Sequence, residues 1–357
     1  MKTFGHLVVS SKTEARMLKY MRLIVIVSLC LIASGNCLAA VFVNANAAGP
    51  THNGKTWNTA YKTIGAALTA TKSGGEIWVA GGVYRECITL KTMYLRLYGG
   101  FRGNETKLTQ RIIGAYPSII DANRMGRPIE VLKNIWCTID GFNVTQGYGD
   151  RGGGICCRTN SNVIIRNCRI ENCEARDFGG GVYLDRYAKG EMSNCVIAYN
   201  TSAMGGGAVI EYHSYPKWRN ILIVRNLARV SGGAIYCPYH SGADLQYCTL
   251  AYNKALANGG AAYTYQGGAV KLNYSIIAFN SAPVGGGIFG GGNSSNTYFS
   301  YCDLYANDGG NLGGAIKQPP VYLRNFSADP MFVAAMVDDY RLSIGSPCVG
   351  IGAFPNP

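Results

Sequence analysis

Cys195-Val196-Ile197-Ala198-Tyr199-Asn200 and Cys248-Thr249-Leu250-Ala251-Tyr252-Asn253 are two copies of one pattern, and Ile277-Ala278-Phe279-Asn280 ends a third. Within each copy the residues alternate, with Cys, Ile or Leu and an aromatic ring on one side, which is the period of a strand. Five residues and then a turn is too short for a helix. Outward from these segments, Asn167, Asn194, Asn220, Tyr247, Tyr274 and Tyr301 form one column, spaced 27, 26, 27, 27 and 27. The next residue in each copy is Cys168, Cys195, Ile221, Cys248, Ser275 or Cys302, and five further on stands Cys173, Asn200, Asn226, Asn253, Asn280 or Asn307. Glycine-rich triplets begin at Gly152, Gly179, Gly205, Ser231, Asn258, Gly285 and Leu312, at steps of 27, 26, 26, 27, 27 and 27.

A repeat of this length, with short strands and glycine corners, predicts a parallel β-helix. Its coils stack like residue over like at the strand spacing of ~4.8 Å. The Asn column then becomes a buried amide ladder, the Ile/Leu and Cys columns fill the bore, and the corners require glycine. In-register parallel strands hold Cβ atoms farther apart than a disulfide prefers, so Cys168 and Cys195 read as stacked core thiols. The expected fold is a single all-β, right-handed parallel β-helix of about ten coils. Before the coils, Asn58 or Thr59 can cap a helix that presents Tyr61, Ile64 and Leu68, stops at Gly74 and plugs the N-terminal end. Strands are expected at 77–79, 88–98 and 112–120. The expected organisation is a signal peptide over 1–39, an N-terminal cap with irregular coils over 40–130, regular coils over 131–325 and a closing segment over 326–357.

Composition fits a folded, exported chain. Among 357 residues there are 47 Gly but only 12 Pro, which excludes collagen and a Pro-rich linker, and 48% hydrophobic against 15% charged residues excludes disorder. The run Leu23–Ala33, preceded by Lys19 and Arg22 and followed by Cys37-Leu38-Ala39, reads as a secretory signal cleaved near Ala39 or Ala40. Net charge is 33 − 20 = +13, and without the five bases and one acid of residues 1–40 it is 28 − 19 = +9. A basic surface suits a polyuronate, an anionic cell surface or nucleic acid. Scattered bases and export argue against nucleic acid, and no second apolar run argues for a membrane span. Thirteen Cys less Cys30 and Cys37 leaves an odd eleven, none in zinc-like spacing.

Val43 to Tyr84, with Gly54-Lys55-Thr56-Trp57 and Ile77-Trp78-Val79-Ala80-Gly81-Gly82-Val83-Tyr84, resembles secreted right-handed parallel β-helix proteins of the pectin-lyase-like superfamily. Tyr98-Gly99-Gly100-Phe101-Arg102-Gly103-Asn104-Glu105-Thr106 and the ending Asp329-Pro330-Met331-Phe332 to Ser346-Pro347-Cys348 are similar to motifs of the same group. The Gly-Gly-Ala-Ile turns at Gly232 and Gly313 resemble polymorphic outer-membrane protein repeats. The resemblance implies the fold, but the superfamily holds lyases, hydrolases, epimerases and adhesins alike. Neither the carboxylate-bound cation with a Lys or Arg base that it implies for lyases nor the clustered aspartates of its hydrolases has a match. Asp338-Asp339 lies in the closing segment, and His213 and His240 have no flanking glycines. No catalytic residue is assigned.

Two constellations remain. Asp150 stands one coil before Asp177 and the pair can share Ca²⁺ or be salt-bridged turn residues, the second reading being favoured. No other cofactor is indicated. The loops after the glycine corners gather Asp185, Arg186, Tyr187, Glu211, Tyr212, His213, Lys217, Trp218, Tyr239 and His240, with Asp185 over Glu211, Tyr187 over His213 and His213 over His240. Aromatic faces with charged neighbours suit a sugar ring, and Tyr, His or Arg beside a cation can abstract a proton α to a uronate carboxylate. The sequence therefore reads as a secreted or cell-surface protein that binds a polysaccharide or cell-surface glycan. The alternative is a lyase or other enzyme on an acidic glycan.

Overall fold

The computed structural model describes residues 39–293, 297–316 and 323–352, so residues 1–38 of the expected leader lie outside it. The solenoid belongs to the unit that starts at Ala40. One turn runs through Ile155–Cys157, Asn162–Arg166, Arg169–Glu171 and Glu174–Phe178 before the next begins at Val182. These four strands belong to a back sheet, a front face, a flank and a bulged strip. Every pairing between turns is parallel, for example Ile165 with Met192 on the front and Leu184 with Ile210 on the back. Front and flank are one sheet, of 17 strands among the described residues, because Lys189–Ala198 and Lys217–Val224 run through the bend between them. Among the described residues the back sheet has nine strands and the bulged strip five.

The bend needs a left-handed residue, and the column Asn167, Asn194, Asn220, Tyr247, Tyr274, Tyr301 supplies it at φ between 51 and 55°. Asn tolerates that backbone best. The N–H that follows the bend then seeks an acceptor on the next turn. Cys168 donates to Cys195 Sγ at 3.4 Å and Cys248 to Ser275 Oγ at 3.1 Å. All eleven described cysteines are free thiols, ten of them buried.

The buried amide ladder forms in full between Asn200 and Asn307. In each step both the backbone N–H and Nδ2 of one Asn donate to Oδ1 of the next, as Asn226 does to Asn253 at 3.0 and 2.9 Å. Glycine at the corners is set by contact as well as by φ. Gly179 lies at φ 67°, and a Cβ on Gly180 would sit 2.4 Å from Gly206 O.

Four expectations change. About seven regular turns form, not ten, because the earlier pairings Val41–Ile77, Ile77–Leu97 and Leu95–Cys137 span 36, 20 and 42 residues. The early strands fall at Glu76–Ala80, Ile88–Leu90, Leu95–Phe101 and Ser118–Asp121. The helix is Ile64–Ala70, capped by Thr63, whose Oγ1 accepts from Ala66 N at 3.2 Å. Glu86 takes the N–H of Ile64 and Gly65 at 2.7 and 2.8 Å, which fixes the start later than Thr59.

The fourth change concerns the aromatic of each repeat. Tyr199, Tyr252 and Phe279 are left-handed, at φ 56, 56 and 57°. This breaks the alternation and turns the ring out of the bore. There Tyr252 and Phe279 stack at 5.0 Å, and Phe332 and Tyr340 pack on them. The closing segment is thus a strap along the flank, with a small antiparallel hairpin, Phe332–Ala334 and Asp339–Leu342. It covers Val196, Ala198, Leu222, Val224, Ala251, Ile276 and Ala278, all buried although they point away from the bore.

Candidate functional site

The loops after the back-sheet strands are brought into register by Leu184–Ile210 and Ile235–Ala262. Tyr187 stacks on His213 at 5.4 Å, His213 on His240 at 6.0 Å and Tyr212 on Tyr239 at 4.8 Å, all within 14° of parallel. All five residues are left-handed, a strained state for bulky side chains that the stacking holds. Arg186 lies 4.6 Å over the Tyr212 ring. Ring faces that stack on one another are closed to a sugar. Within the stack the ladder therefore presents edges, a line of hydroxyls and ring nitrogens, and Tyr187 at its end is more than half exposed.

The acids of this group are engaged. Glu211 is buried and accepts the Tyr183 hydroxyl at 2.7 Å, and Arg151 Nη1 donates to the same hydroxyl at 3.2 Å. Burial pushes the Glu211 carboxyl above its ordinary range, against the opposing pull of the Tyr183 hydroxyl and Arg151. Asp185 takes the Thr159 hydroxyl at 2.7 Å.

Lys217 and Trp218 leave this cluster. Both belong to strand Lys217–Val224, where Trp218 points into the bore, 1% exposed, and donates Nε1 to Gly190 O at 2.8 Å. Alternation then puts Lys217 outside, on the front face.

The front face carries two depressions that share Ile164. One, about 400 Å³, is lined by Arg166, Glu191, Met192, Ser193, Lys217 and Arg219. The other, about 220 Å³, is lined by Tyr94, Arg96, Trp136, Thr138 and Asn162 among others. Trp136 is 48% and Tyr94 56% exposed, and their rings meet edge to face at 5.9 Å. Arg219 reaches Gln246 at 2.6 Å, whereas Arg166, Lys217 and Glu191 have no ion-pair partner among the described residues. Sequence reasoning missed Trp136, although Trp136-Cys137-Thr138-Ile139 alternates with Cys137 and Ile139 inside.

Asp150 is held by Arg176 on the bulged strip, where the register slips between Gly149 and Arg151. It is a salt-bridged residue of strand Tyr148–Arg151, and the slip leaves it opposite the Arg176-Asp177 stretch of the next turn. Among the described residues no three His, Cys, Asp or Glu come together as a metal site. No helix among them is long and apolar enough to cross a membrane.

A family profile described as "Right handed beta helix region" matches residues 129–304. Pectate lyase Pel9A superposes with a TM-score of 0.54 at 13% identity, over 86% of this chain and 90% of that one. The fold is a right-handed parallel β-helix of the pectin-lyase-like kind. A pectin methylesterase from Aspergillus niger is similar over 82% of this chain and 92% of its own, with a TM-score of 0.44 and 15% identity. No curated protein sequence matches. For this β-helix, identities so low carry the fold alone.

Proposed function

We propose that this β-helix is an exported protein of the cell surface or extracellular space that binds carbohydrate along its front face. Residues 1–39 act as its signal peptide, the helix Ile64–Ala70 closes the N-terminal end of the bore, and the coils before residue 131 complete the solenoid. The observation that carries the reading is Trp136, a half-exposed indole that lines one of two contiguous depressions, the second of which carries Arg166, Lys217 and Arg219. An open aromatic face edged by hydrogen-bonding groups is how proteins hold a sugar ring. A carbohydrate-active protein, a pectate lyase, shares the fold.

Trp136→Ala is expected to weaken glycan binding about tenfold, the loss of one aromatic contact of ~1.4 kcal/mol. The thermal midpoint should stay unchanged. Affinity electrophoresis against a panel of soluble polysaccharides checks it, and equal retention of both proteins rejects the front face.

A second reading, lyase action on an acidic glycan, is supported by Arg166, Lys217 and Arg219 around one depression. Incubation with polygalacturonate and alginate, with and without Ca²⁺, tests it through the ultraviolet absorbance of unsaturated uronate products.

A further inference from the structure

The front face is not uniformly basic, and its register says what can lie on it. Outward positions one turn apart form a column in which Ile164 pairs with Glu191, Lys217 with Asp244, Asp244 with Lys271 and Lys271 with Tyr298. Glu191 and Lys217 join this column because each precedes a member of the Met192–Trp218 pair. Signs therefore alternate as Glu191, Lys217, Asp244, Lys271. A polymer charged on every ring would place anionic groups against Glu191 and Asp244 at each pass, and like charges so close repel.

The cationic surplus is local. Arg166 and Arg219 stand in the neighbouring column, with Ser193 between them. Together with Lys217 they outnumber Glu191 in the larger depression. Trp136 stands three strands from Lys217 along the solenoid, about 14 Å at ~4.8 Å per strand, but its column through Asn162 and Lys189 lies two residues to the side of the column Thr138, Ile164, Glu191, Lys217.

We infer that the ligand is a sparsely charged heteroglycan running obliquely across the front face, with an uncharged ring on Trp136 and one anionic substituent between Arg166, Lys217 and Arg219, one to three strands (about 5–14 Å) further along the solenoid and two to four residues to the side. The inference rests on the carbohydrate-binding reading and narrows it. The indole face needs a ring with no charge to desolvate, and the three cations form a single anionic subsite bounded by Glu191. Binding then depends on few ionic contacts and weakens only modestly with salt.

Three soluble probes separate the cases: a neutral β-glucan, xanthan (a neutral glucan backbone with spaced uronates) and polygalacturonate (every ring charged). Calorimetric titration at low and high salt should rank xanthan first, then the neutral glucan, then polygalacturonate. Lys217→Gln with Arg219→Gln should bring xanthan down to the neutral glucan's affinity and leave the latter unchanged. Glu191→Gln, at an exposed site, should tighten polygalacturonate. Polygalacturonate binding tightest with a steep salt dependence overturns the inference while the carbohydrate reading stands. Xanthan binding no better than the neutral glucan also overturns it. No heat with any probe, for wild type and Trp136→Ala alike, removes the carbohydrate reading and the inference with it.

Discussion

Asn253→Ala is expected to lower stability by about 3–4 kcal/mol, although it removes only a small polar side chain. The reason is the ladder. Asn253 is fully buried, and its Oδ1 accepts both the N–H and Nδ2 of Asn226, at 3.0 and 2.9 Å. Its own Nδ2 donates to Ile223 O at 2.8 Å, Ala251 O at 3.2 Å and Asn280 Oδ1 at 2.9 Å. Truncation leaves the Asn226 N–H buried without its acceptor at about 1–3 kcal/mol, and it takes away the Asn226 Nδ2 and Asn280 Oδ1 contacts and the second donor of the Ile223 carbonyl, which the sheet still pairs. A small cavity adds to this. Asn253→Asp should be worse at neutral pH, since its second oxygen would face the Ile223 and Ala251 carbonyls as a buried anion. Ser281→Ala one turn on, whose exposed Oγ donates to Asp308 at 3.0 Å, should stay within about 0.5 kcal/mol. Urea unfolding of the three variants orders them. A loss below about 1 kcal/mol for Asn253→Ala would show that water replaces the ladder bonds.

The ladder was legible because stacking is a one-dimensional code. A column spaced 26 or 27 residues apart lies at one place in every turn, so Asn200 to Asn307 could be read as bonded from turn to turn without coordinates. Two things escaped that code. The first is left-handed backbone. Period two puts Tyr199, Tyr252 and Phe279 on the same side as Ile197, Leu250 and Ile277, but a positive φ at the aromatic turns it outward. The second is where a loop ends. Trp218 follows a run of polar and aromatic residues and reads as part of it, whereas Lys217 already begins a strand and sends the indole into the bore. The front-face site was missed for a related reason. Trp136 stands in one of the first regular turns, before the glycine triplets begin, where no column draws attention to it. The strap had a usable signal. Cys195-Val196-Ile197-Ala198 and Ile221-Leu222-Ile223-Val224 are apolar on both faces, and a strand covered on both sides needs a second layer. That layer is the C-terminal segment.

The same strap makes stability depend on pH through one carboxyl, and Asp303→Asn is expected to abolish that dependence. Asp303 stands at the end of the outward column that contains Ile276, fully buried beneath the strap. Its partners are the Ala328 N–H at 3.0 Å and the Cys348 thiol at 3.5 Å, with no cation among them. Burial pushes its pKa from 3.8 up to about 6, a neighbouring Asp329 adding to the rise and the two donors opposing it. Below about pH 4 the folded and unfolded chains both hold the proton, and the group contributes nothing. As pH rises from about 4 to 6 the unfolded chain ionises while the folded one does not, so stability falls. The loss reaches about 3 kcal/mol and persists above pH 6, from a shift of ~2 pKa units at 1.36 kcal/mol each. The amide of Asn cannot ionise and keeps an acceptor for the Ala328 N–H. Asp303→Asn should therefore match wild type near pH 4 and exceed it by up to about 3 kcal/mol at pH 7.5. Loosening should be local first, because the rest of the strap is held separately by Asp338, which accepts the Tyr199 hydroxyl at 2.7 Å and Arg225 Nε at 3.2 Å. Hydrogen exchange of residues 326–352 at pH 4.5 and 7.5 reads this directly. Equal protection at both pH values in wild type, or an unchanged pH slope in Asp303→Asn, would show that the carboxyl does not gate the strap.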